Sequence, residues 1–355
     1  MQFIKPDINI DFIGKRKYAF VASMALILMT IVSLLIKGGP RYGIDFAGGT
    51  VVQVKFSKEI QPGDIKKALK EVSLGITSVQ GFGEKGQHEF LIRAAESTQA
   101  LESLSTTIKE ELDAAYPDNA SEVRRVEMVG PKVGKDLREK ALFAMYFAIL
   151  FIVVYISGRF ELKWVLSIVM AGCLAGVLYV FASIGFSIPV LILIAVLVTL
   201  ALSFYLKLRF AMGAIVALIH DVCITVGVFS VLDKEFTLPI IAALLTIIGY
   251  SLNDTIIVFD RIRENSRKYH RQPYETIINR SINETLSRTL LTSLTTLVVV
   301  VALFVLGGGI IHDFAFALMI GVVVGTYSSI YVASPVLIAW QRAAKSPRRK
   351  KKKSR

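Results

Sequence analysis

The residues of this chain best suited to do chemistry are an acidic and a positively charged side chain inside apolar stretches. Asp254, preceded by Asn253, lies in the apolar run 237–259, and Arg288 lies near the start of the next one. An ionisable group in a membrane span costs about 2.5 to 3.5 kcal/mol on insertion scales, so such groups usually serve a function. The pair predicts a protein that moves charge across a membrane.

The acid and the arginine are expected at the same depth. If one span ends near Asp260 and the next helix begins near Ser281, Asp254 lies six residues and Arg288 seven residues from the same membrane face. Both would then lie about 9 to 10 Å deep at about 1.5 Å per residue. Because pairing offsets the cost of burying each charge, we expect Asp254 to contact Arg288.

Hydroxyl groups near this pair are candidates for lining a water path. Thr292 and either Thr295 or Thr296 follow Arg288 at spacings of three and four, which place them on one helical face. Ser251, one turn before Asp254, is a further candidate.

A second acid, Asp221, lies about twelve residues into the preceding span, counted from Arg209. It is either a second proton relay or a neutral, hydrogen-bonded carboxyl group that holds helices together. Its neighbour His220 is expected on a different helical face. The sequence leaves the role of Asp221 open.

The elements that must position these groups are membrane helices. The chain has 355 residues, 54% of them hydrophobic, with a mean hydropathy of +0.57. Repeated apolar runs of about 20 residues, the length that crosses about 30 Å of hydrocarbon, predict a polytopic helical protein. We predict eight spans, at 18–36, 139–157, 164–184, 188–206, 211–231, 237–259, 283–307 and 314–338.

Lysine and arginine residues predict the orientation. They cluster in the ends 1–17 and 339–355 and in the basic loop 260–282. Both termini are therefore expected in the cytoplasm by the positive-inside rule. The tail SPRRKKKKSR is expected to contact anionic lipid, with a ribosome or RNA contact as the alternative. The net charge of +13 does not otherwise indicate nucleic-acid binding, because segment 37–138 carries 15 basic and 15 acidic residues.

Segment 37–138 is long enough to be a domain outside the membrane. Its apolar runs and turn residues predict the order strand, helix, strand, strand, helix, strand, at 50–56, 62–72, 76–82, 89–94, 98–116 and 122–129. This order fits an α+β, ferredoxin-like sandwich. The domain either binds or moves a substrate, or is a passive cap.

The spans within 164–206 resemble the two that follow them. At an offset of 50 residues Tyr155 matches Tyr205, Cys173 matches Cys223, and Pro189 matches Pro239. A tandem duplication explains why these identical residues all share one offset. The first copy lacks counterparts of Asp221 and Asp254, so the extra pair is expected to serve packing. Both cysteines fall inside spans and do not predict a disulfide.

Five motifs of the chain combine small and polar residues with apolar ones: GIDFAGGT (43–50), RFAMGAIVALIHDV (209–222), TIIGYSLNDTIIVFDRIREN (246–265), LSRTLLTSLTT (286–296) and YSSIYVASP (327–335). Together they resemble the SecF family of protein-export membrane proteins. The resemblance implies an RND-type half-transporter in the bacterial inner membrane, with six spans rather than eight. It implies a SecD-like partner, a SecYEG-type translocon and a translocating polypeptide as partners. It also implies that Asp254 and Arg288 form the proton pathway, driven by the proton motive force.

Two other classes of protein are less compatible with the residues. An RND exporter of small molecules or lipids usually has larger periplasmic domains and a doubled bundle. An intramembrane protease would need Ser251 and His220 as a catalytic pair, but no nucleophile-elbow spacing supports it. No phosphate-binding loop is present, since 321–326 lacks the required lysine. We therefore expect no enzyme activity, metal or cofactor.

Overall fold

The computed structural model of the protein describes residues 8–69, 76–82, 86–94, 101–162, 164–183 and 188–342. The outer domain contains α2 (Ile44–Ala47), β1 (Gly49–Phe56), α3 (Pro62–Ala68), β2 (Ile76–Phe82), β3 (Glu89–Ala94), α4 (Leu101–Ala115) and β4 (Ser121–Val129). The bundle contains α1 (Arg16–Lys37), α5 (Pro131–Glu161), α6 (Trp164–Ser183), α7 (Ile188–Tyr205), α8 (Arg209–Val231), α9 (Leu238–Lys268), α10 (Tyr274–Leu306) and α11 (Gly309–Ser328).

Six helices of the described residues are long and apolar enough to cross a membrane. They are α1, α5, α8, α9, α10 and the helix Ile311–Arg342, which contains most of α11. The apolar window of α8 is 61% buried, whereas those of α1 and α10 are 17% buried. Helix α8 is therefore central, and α1 and α10 lie at the edge of the bundle.

The extra pair consists of two apolar helices, α6 and α7. Their apolar stretches Trp164–Val177 and Leu193–Tyr205 are shorter than the six long ones. Helix α7 packs against α5 and α8, and α6 packs against α5. Eight full spans are thus not established by helix length, although both predicted helices are present.

The bundle has two distinct sides. The outer domain defines the domain side, and the α9–α10 turn together with the start of α1 defines the terminal side. On the terminal side α9 continues to Lys268 and α10 already begins at Tyr274. The predicted basic loop 260–282 is therefore mostly helical, with a short turn that ends at Pro273.

Glycines bring α9 and α11 close together. A Cβ atom on Gly321 would lie 2.2 Å from Ile247 Cγ1, and one on Gly325 would lie 3.0 Å from Ser251 Cβ. Small residues at such spacing allow close approach of membrane helices. The pair Gly172 and Gly176 has the same spacing, but a Cβ atom on either residue would meet no described atom within 4 Å.

The helix that begins with α11 contains a wide turn. Residues Ser329–Ala333 form a π-helical turn, and Ser334 Oγ donates to the carbonyl of Ser329, five residues earlier, at 2.9 Å. Helix geometry then continues to Arg342. A π turn accommodates one extra residue in an α-helix and is frequent at functional sites.

The outer domain contains one four-stranded antiparallel sheet in the order β2-β3-β1-β4. Alternate strand residues such as Val52, Val54 and Ile92 pack with Ile65 of α3 and Ile108 of α4 in a separate apolar core. The four predicted strands are present within one residue of their expected bounds. The helix positions 70–72 and 98–100 lie outside the described residues.

One short element, α2, was not predicted. It lies in the GIDFAGGT motif and ends at Gly48 and Gly49, whose φ angles are +76° and +109°. A Cβ atom on Gly48 would lie 2.8 Å from Pro131 Cα. Both the backbone angle and the close approach therefore require glycine where the domain meets α5.

Candidate functional site

Asp254 lies inside the bundle and faces α10 and α11. Its relative exposure is 1%. Its Oδ2 accepts a hydrogen bond from Ser293 Oγ at 3.2 Å, and Ser293 also bonds to Thr326 Oγ1 at 2.6 Å. Within the described part of the chain, Oδ1 of Asp254 has no hydrogen-bond partner. The two oxygens of the buried carboxyl group are therefore in different environments, since only Oδ2 accepts a hydrogen bond from a described residue.

The predicted contact between Asp254 and Arg288 is not formed. Arg288 is exposed and interacts with Asp254 only through longer-range electrostatics, without an ion pair among the described residues. The reason is the rotation of α10, since Thr285, Thr289 and Ser293 occupy its buried face at spacings of four. Arg288 lies one residue before Thr289, about 100° around the helix from the buried face, and is therefore exposed.

The predicted polar lining is only partly in place. Thr292, Thr295 and Thr296 each donate a hydrogen bond to a carbonyl of their own helix. Thr295 and Asn253 are exposed on the bundle surface. Thr295 and Thr296 satisfy the backbone of α10, whereas Thr292, which does so as well, also interacts with the Asp254 carboxyl group.

Sequence reasoning missed Ser293 and Thr326 as partners of Asp254. The signal for Ser293 was the four-residue spacing of Thr285, Thr289 and Ser293, which competes with the stripe that starts at Arg288. Thr326 had no local signal, because its contact depends on how α11 packs.

Asp221 belongs to a second buried network. Its relative exposure is 0%, and its Oδ2 accepts hydrogen bonds from Ser251 Oγ and from Ser328 Oγ, the latter at 2.7 Å. Its Oδ1 lies 2.9 Å from His220 Nδ1. His220 and Asp221 thus bond to each other, although adjacent residues lie about 100° apart around a helix, and His220 is buried.

The network continues to the first helix. His220 Nε2 bonds to Ser23 Oγ at 3.0 Å, Ser23 Oγ bonds to Tyr327 Oη at 3.0 Å, and Tyr327 Oη donates to the carbonyl of Ala19 at 2.7 Å. The chain of bonds joins α1, α8, α9 and α11 beside the π turn. Because Ser251 is one turn from Asp254 on α9, the two networks are neighbours.

This geometry does not support a protease. Ser251 donates to Asp221, whereas His220 bonds to the other oxygen of Asp221 and to Ser23. Among the described residues no bond joins Ser251 to His220, and both are buried. The described residues also contain no group of three or more His, Cys, Asp or Glu side chains arranged to hold a metal ion.

The Asp221 network predicts a large effect on stability. Asp221→Leu leaves Ser251 Oγ and His220 Nδ1 without a partner in the described residues and removes one of the two hydrogen bonds of Ser328. Each unpaired buried polar group costs about 1 to 3 kcal/mol. We expect the thermal midpoint in detergent to fall by at least about 5 °C. The matched control is Asp254→Leu, which breaks one hydrogen bond and should cost less than half as much. An equal loss for both variants would contradict a helix-holding role for Asp221.

Charged residues connect the outer domain to the bundle on the domain side. We define the coupling cluster as Lys37, Arg41, Arg93, Asp233 and Glu235. Arg93 of β3 pairs with Glu235, Arg41 lies 2.6 Å from Asp233, and Lys37 lies 3.2 Å from Asp233. The sheet is thus joined by ion pairs to the segment between α8 and α9.

Electrostatics and backbone bonds strengthen the same junction. Partial desolvation raises the pKa of Asp233, but the hydrogen bond from Lys37 and the charge of Arg41 outweigh it and lower that pKa below its ordinary value. Gly43 N donates to the carbonyl of Phe236 at 2.8 Å, and Leu238 N donates to Asp45 Oδ2 at 2.8 Å. The start of the domain is therefore attached directly to the start of α9, the helix that carries Asp254.

The class of protein follows from these features. Six long apolar helices, two buried acid networks and one small attached domain define a multi-pass membrane protein.

Comparisons with known proteins identify the family. The SecD/SecF protein export C-terminal model matches residues 107–190 and 185–343, and the SecD/SecF GG motif matches residues 32–60. The protein translocase subunit SecF of Magnetococcus marinus is 45% identical over 95% of this chain and 94% of its own length. That of Vibrio alginolyticus is 39% identical over 95% and 91%. The chain therefore belongs to the SecF family, and its function is in Sec-dependent protein export.

Solved structures agree with this assignment. SecDF from Thermus thermophilus, a translocon-associated membrane protein, matches with a TM-score of 0.74 and 33% identity over 96% of this chain. SecDF in a super-membrane-facing form matches with a TM-score of 0.63 and 32% identity. This chain covers 40% and 41% of those longer chains.

Proposed function

We propose that this chain works with a SecD-like protein to couple the proton motive force to polypeptide translocation across the bacterial inner membrane. The observation that carries the proposal is Asp254, a buried carboxyl group with one oxygen held by Ser293 and the other without a partner in the described residues. Such a group can bind and release a proton with little rearrangement. It acts without a metal, a cofactor or a catalytic residue.

The proposed cycle begins with a proton that reaches Asp254 from the domain side. Neutralising Asp254 removes its attraction to Arg288 and weakens the bond from Ser293, which lets α9 move relative to α10 and α11. Because the start of α9 is attached to the domain through Asp45 and the coupling cluster, that movement is transmitted to the domain. The domain then releases or pulls the translocating polypeptide.

The exposed face of α9 supports a membrane partner. Ala242, Thr246, Gly249 and Asn253 are exposed at spacings of four, three and four, and Arg288 is exposed on the neighbouring helix. A guanidinium facing lipid is costly, whereas small residues favour close helix packing. A SecD-like helix on this face would cover the small residues and supply a polar partner for Arg288.

The partner is tested by affinity capture in mild detergent. Gly249→Leu should reduce the amount of SecD-like protein captured with the chain by at least about fivefold, because the side chain blocks close approach. Gly176→Leu on α6 is the matched control, since both glycines meet no atom within 4 Å. Equal capture by the two variants, or capture of no SecD-like protein by the unaltered chain, would contradict the proposal.

Further architectural features belong to the same proposal. The α6–α7 pair spans the membrane as well, for eight spans in all, and arose by duplication of the α8–α9 pair. In support, Ile188 and Leu238 begin α7 and α9 at the predicted offset of 50 residues. The strand order and antiparallel pairing support a ferredoxin-like domain in the periplasm.

The remaining proposals concern orientation and partners. The terminal side faces the cytoplasm with both chain ends, and the partners include a SecYEG-type translocon and the translocating polypeptide. The basic tail, expected to contact anionic lipid, lies outside the described residues beyond Arg342.

A further inference from the structure

An apolar groove of about 1020 Å³ lies between α1, α8 and the end of the helix Ile311–Arg342. Its walls are mainly aliphatic and aromatic side chains, among them Phe20, Met24, Ile27, Val216, Ile219 and Val336. The volume lies at the upper end of the range of ligand sites, about 300 to 1,000 Å³. The groove is therefore large enough for an extended apolar ligand.

Three basic side chains surround the mouth of the groove on the terminal side. They are Arg16, Lys17 and Arg342. Arg16 and Arg342 share a single carboxylate, Glu275, and Lys17 is exposed with no acidic partner in the described part of the chain. Three cations against one carboxylate leave a surplus of positive charge that suits an anionic group.

The length of the groove matches one membrane leaflet. Along α1 it extends from Arg16 to Ile27, which is about 16 Å at about 1.5 Å per residue. Half of a hydrocarbon core of about 30 Å is about 15 Å. An acyl chain with its headgroup at Lys17 would thus end near the middle of the membrane.

The inner end of the groove does not favour a water path. Its polar groups include Ser23 and His220, which already bond to each other at 3.0 Å. Most of the remaining wall is apolar, so water there would find few partners. The chemistry of the groove is that of a lipid tail below an anionic headgroup.

We propose that this groove binds an anionic phospholipid of the leaflet on the terminal side. The phosphate group lies among Arg16, Lys17 and Arg342, and one acyl chain lies along α1 toward Ile27. This acyl chain covers the side of His220 and Ser23 that faces the groove, and so keeps water away from the Asp221 network. This site is separate from the basic tail, and it does not depend on the proton-coupled function proposed above.

The test is native mass spectrometry of the purified full-length chain with added phosphatidylglycerol or phosphatidylcholine of identical acyl chains. We expect retained phosphatidylglycerol to exceed phosphatidylcholine. Lys17→Glu should lower retained phosphatidylglycerol by about fivefold or more, because it removes a cation and adds a negative charge beside the phosphate group. Arg271→Glu is the matched control, because Arg271 is exposed on the same side in the α9–α10 turn but does not line the groove. It should retain the lipid almost fully.

A second variant tests the apolar part of the site. Val216→Trp fills the groove and should also reduce retained phosphatidylglycerol. Equal retention of the two lipids, or equal losses in Lys17→Glu and Arg271→Glu, would overturn the proposal. Unchanged retention in a folded Val216→Trp variant would overturn it as well. Loss of a captured SecD-like protein in this variant, with lipid retained, would identify the groove as a protein interface. If Val216→Trp does not fold, the exposed Lys17→Glu decides alone.

Discussion

Replacing Asp254 with Asn is expected to abolish the proton-driven part of export while the protein remains folded. Asparagine has the same size and can still accept the hydrogen bond from Ser293, but it cannot bind and release a proton. A proton crossing the full potential supplies about 2.3 kcal/mol per 100 mV, and this energy would no longer reach the helices. Transport of a reporter polypeptide into inverted vesicles, with and without a proton gradient, should show at least a tenfold smaller gradient-dependent fraction.

The control for this experiment is on the same helix. Asp260 is half-exposed at the terminal side of α9 and pairs with Arg159 at 2.5 Å. Asp260→Asn should leave the gradient-dependent fraction within about twofold of the unaltered protein. Capture of the SecD-like partner by Asp254→Asn should be normal. Full stimulation by the gradient in Asp254→Asn would refute the role of this carboxyl group.

Reversing the charge of Glu235 is expected to uncouple the outer domain from the bundle. Glu235→Arg would place a third guanidinium beside Arg41 and Arg93, which now bind the carboxylate. Repulsion in this half-buried junction should separate β3 from the segment before α9. We expect gradient-dependent export to fall at least about fivefold and amide hydrogen exchange in β3 to become faster.

The charge swap gives a sharper result than the single variant. Arg93→Glu combined with Glu235→Arg restores an attractive pair and should recover at least half of the lost activity. Glu122→Arg is the control, because Glu122 is exposed on β4 and, within the part of the chain that the structure describes, its ion pair is with nearby Arg124. Failure of the swap to recover activity, with a folded domain, would show that the ion pair does not transmit movement.

The sequence predicted the elements better than their contacts. The positions of the helices, the bounds of the strands and the burial of Asp254 follow from hydropathy, alternation and the pattern of polar residues in apolar runs, which are properties of short segments. The rotation of α10 is different, because it depends on which of two overlapping polar stripes the other helices bury. The stripe through Thr289 and Ser293 was buried, and the one through Arg288 was left on the surface.

The contacts of the Asp221 network could not be predicted from the sequence either. Asp221 was noticed as a buried acid, but its partners Ser251, Ser328 and, through His220, Ser23 come from three other helices. Serine is common in membrane helices, so no single one of these residues signals a contact. Helix α2 escaped prediction for a related reason, since its four residues are shorter than any periodic pattern.

The π turn at Ser329–Ala333 would allow part of the helix Ile311–Arg342 to rotate about its axis while the helix stays formed. An α-helix turns by about 100° per residue. If the π turn moved by one position toward the amino end of the helix, the residue that the turn passes would rotate about the helix axis by roughly that angle. Were the turn to pass Ser328, this hydroxyl would leave Asp221 while the two halves of the helix stayed hydrogen-bonded. A shift of the π turn would thus change the contacts of the second acid without breaking the helix that ends beside α1.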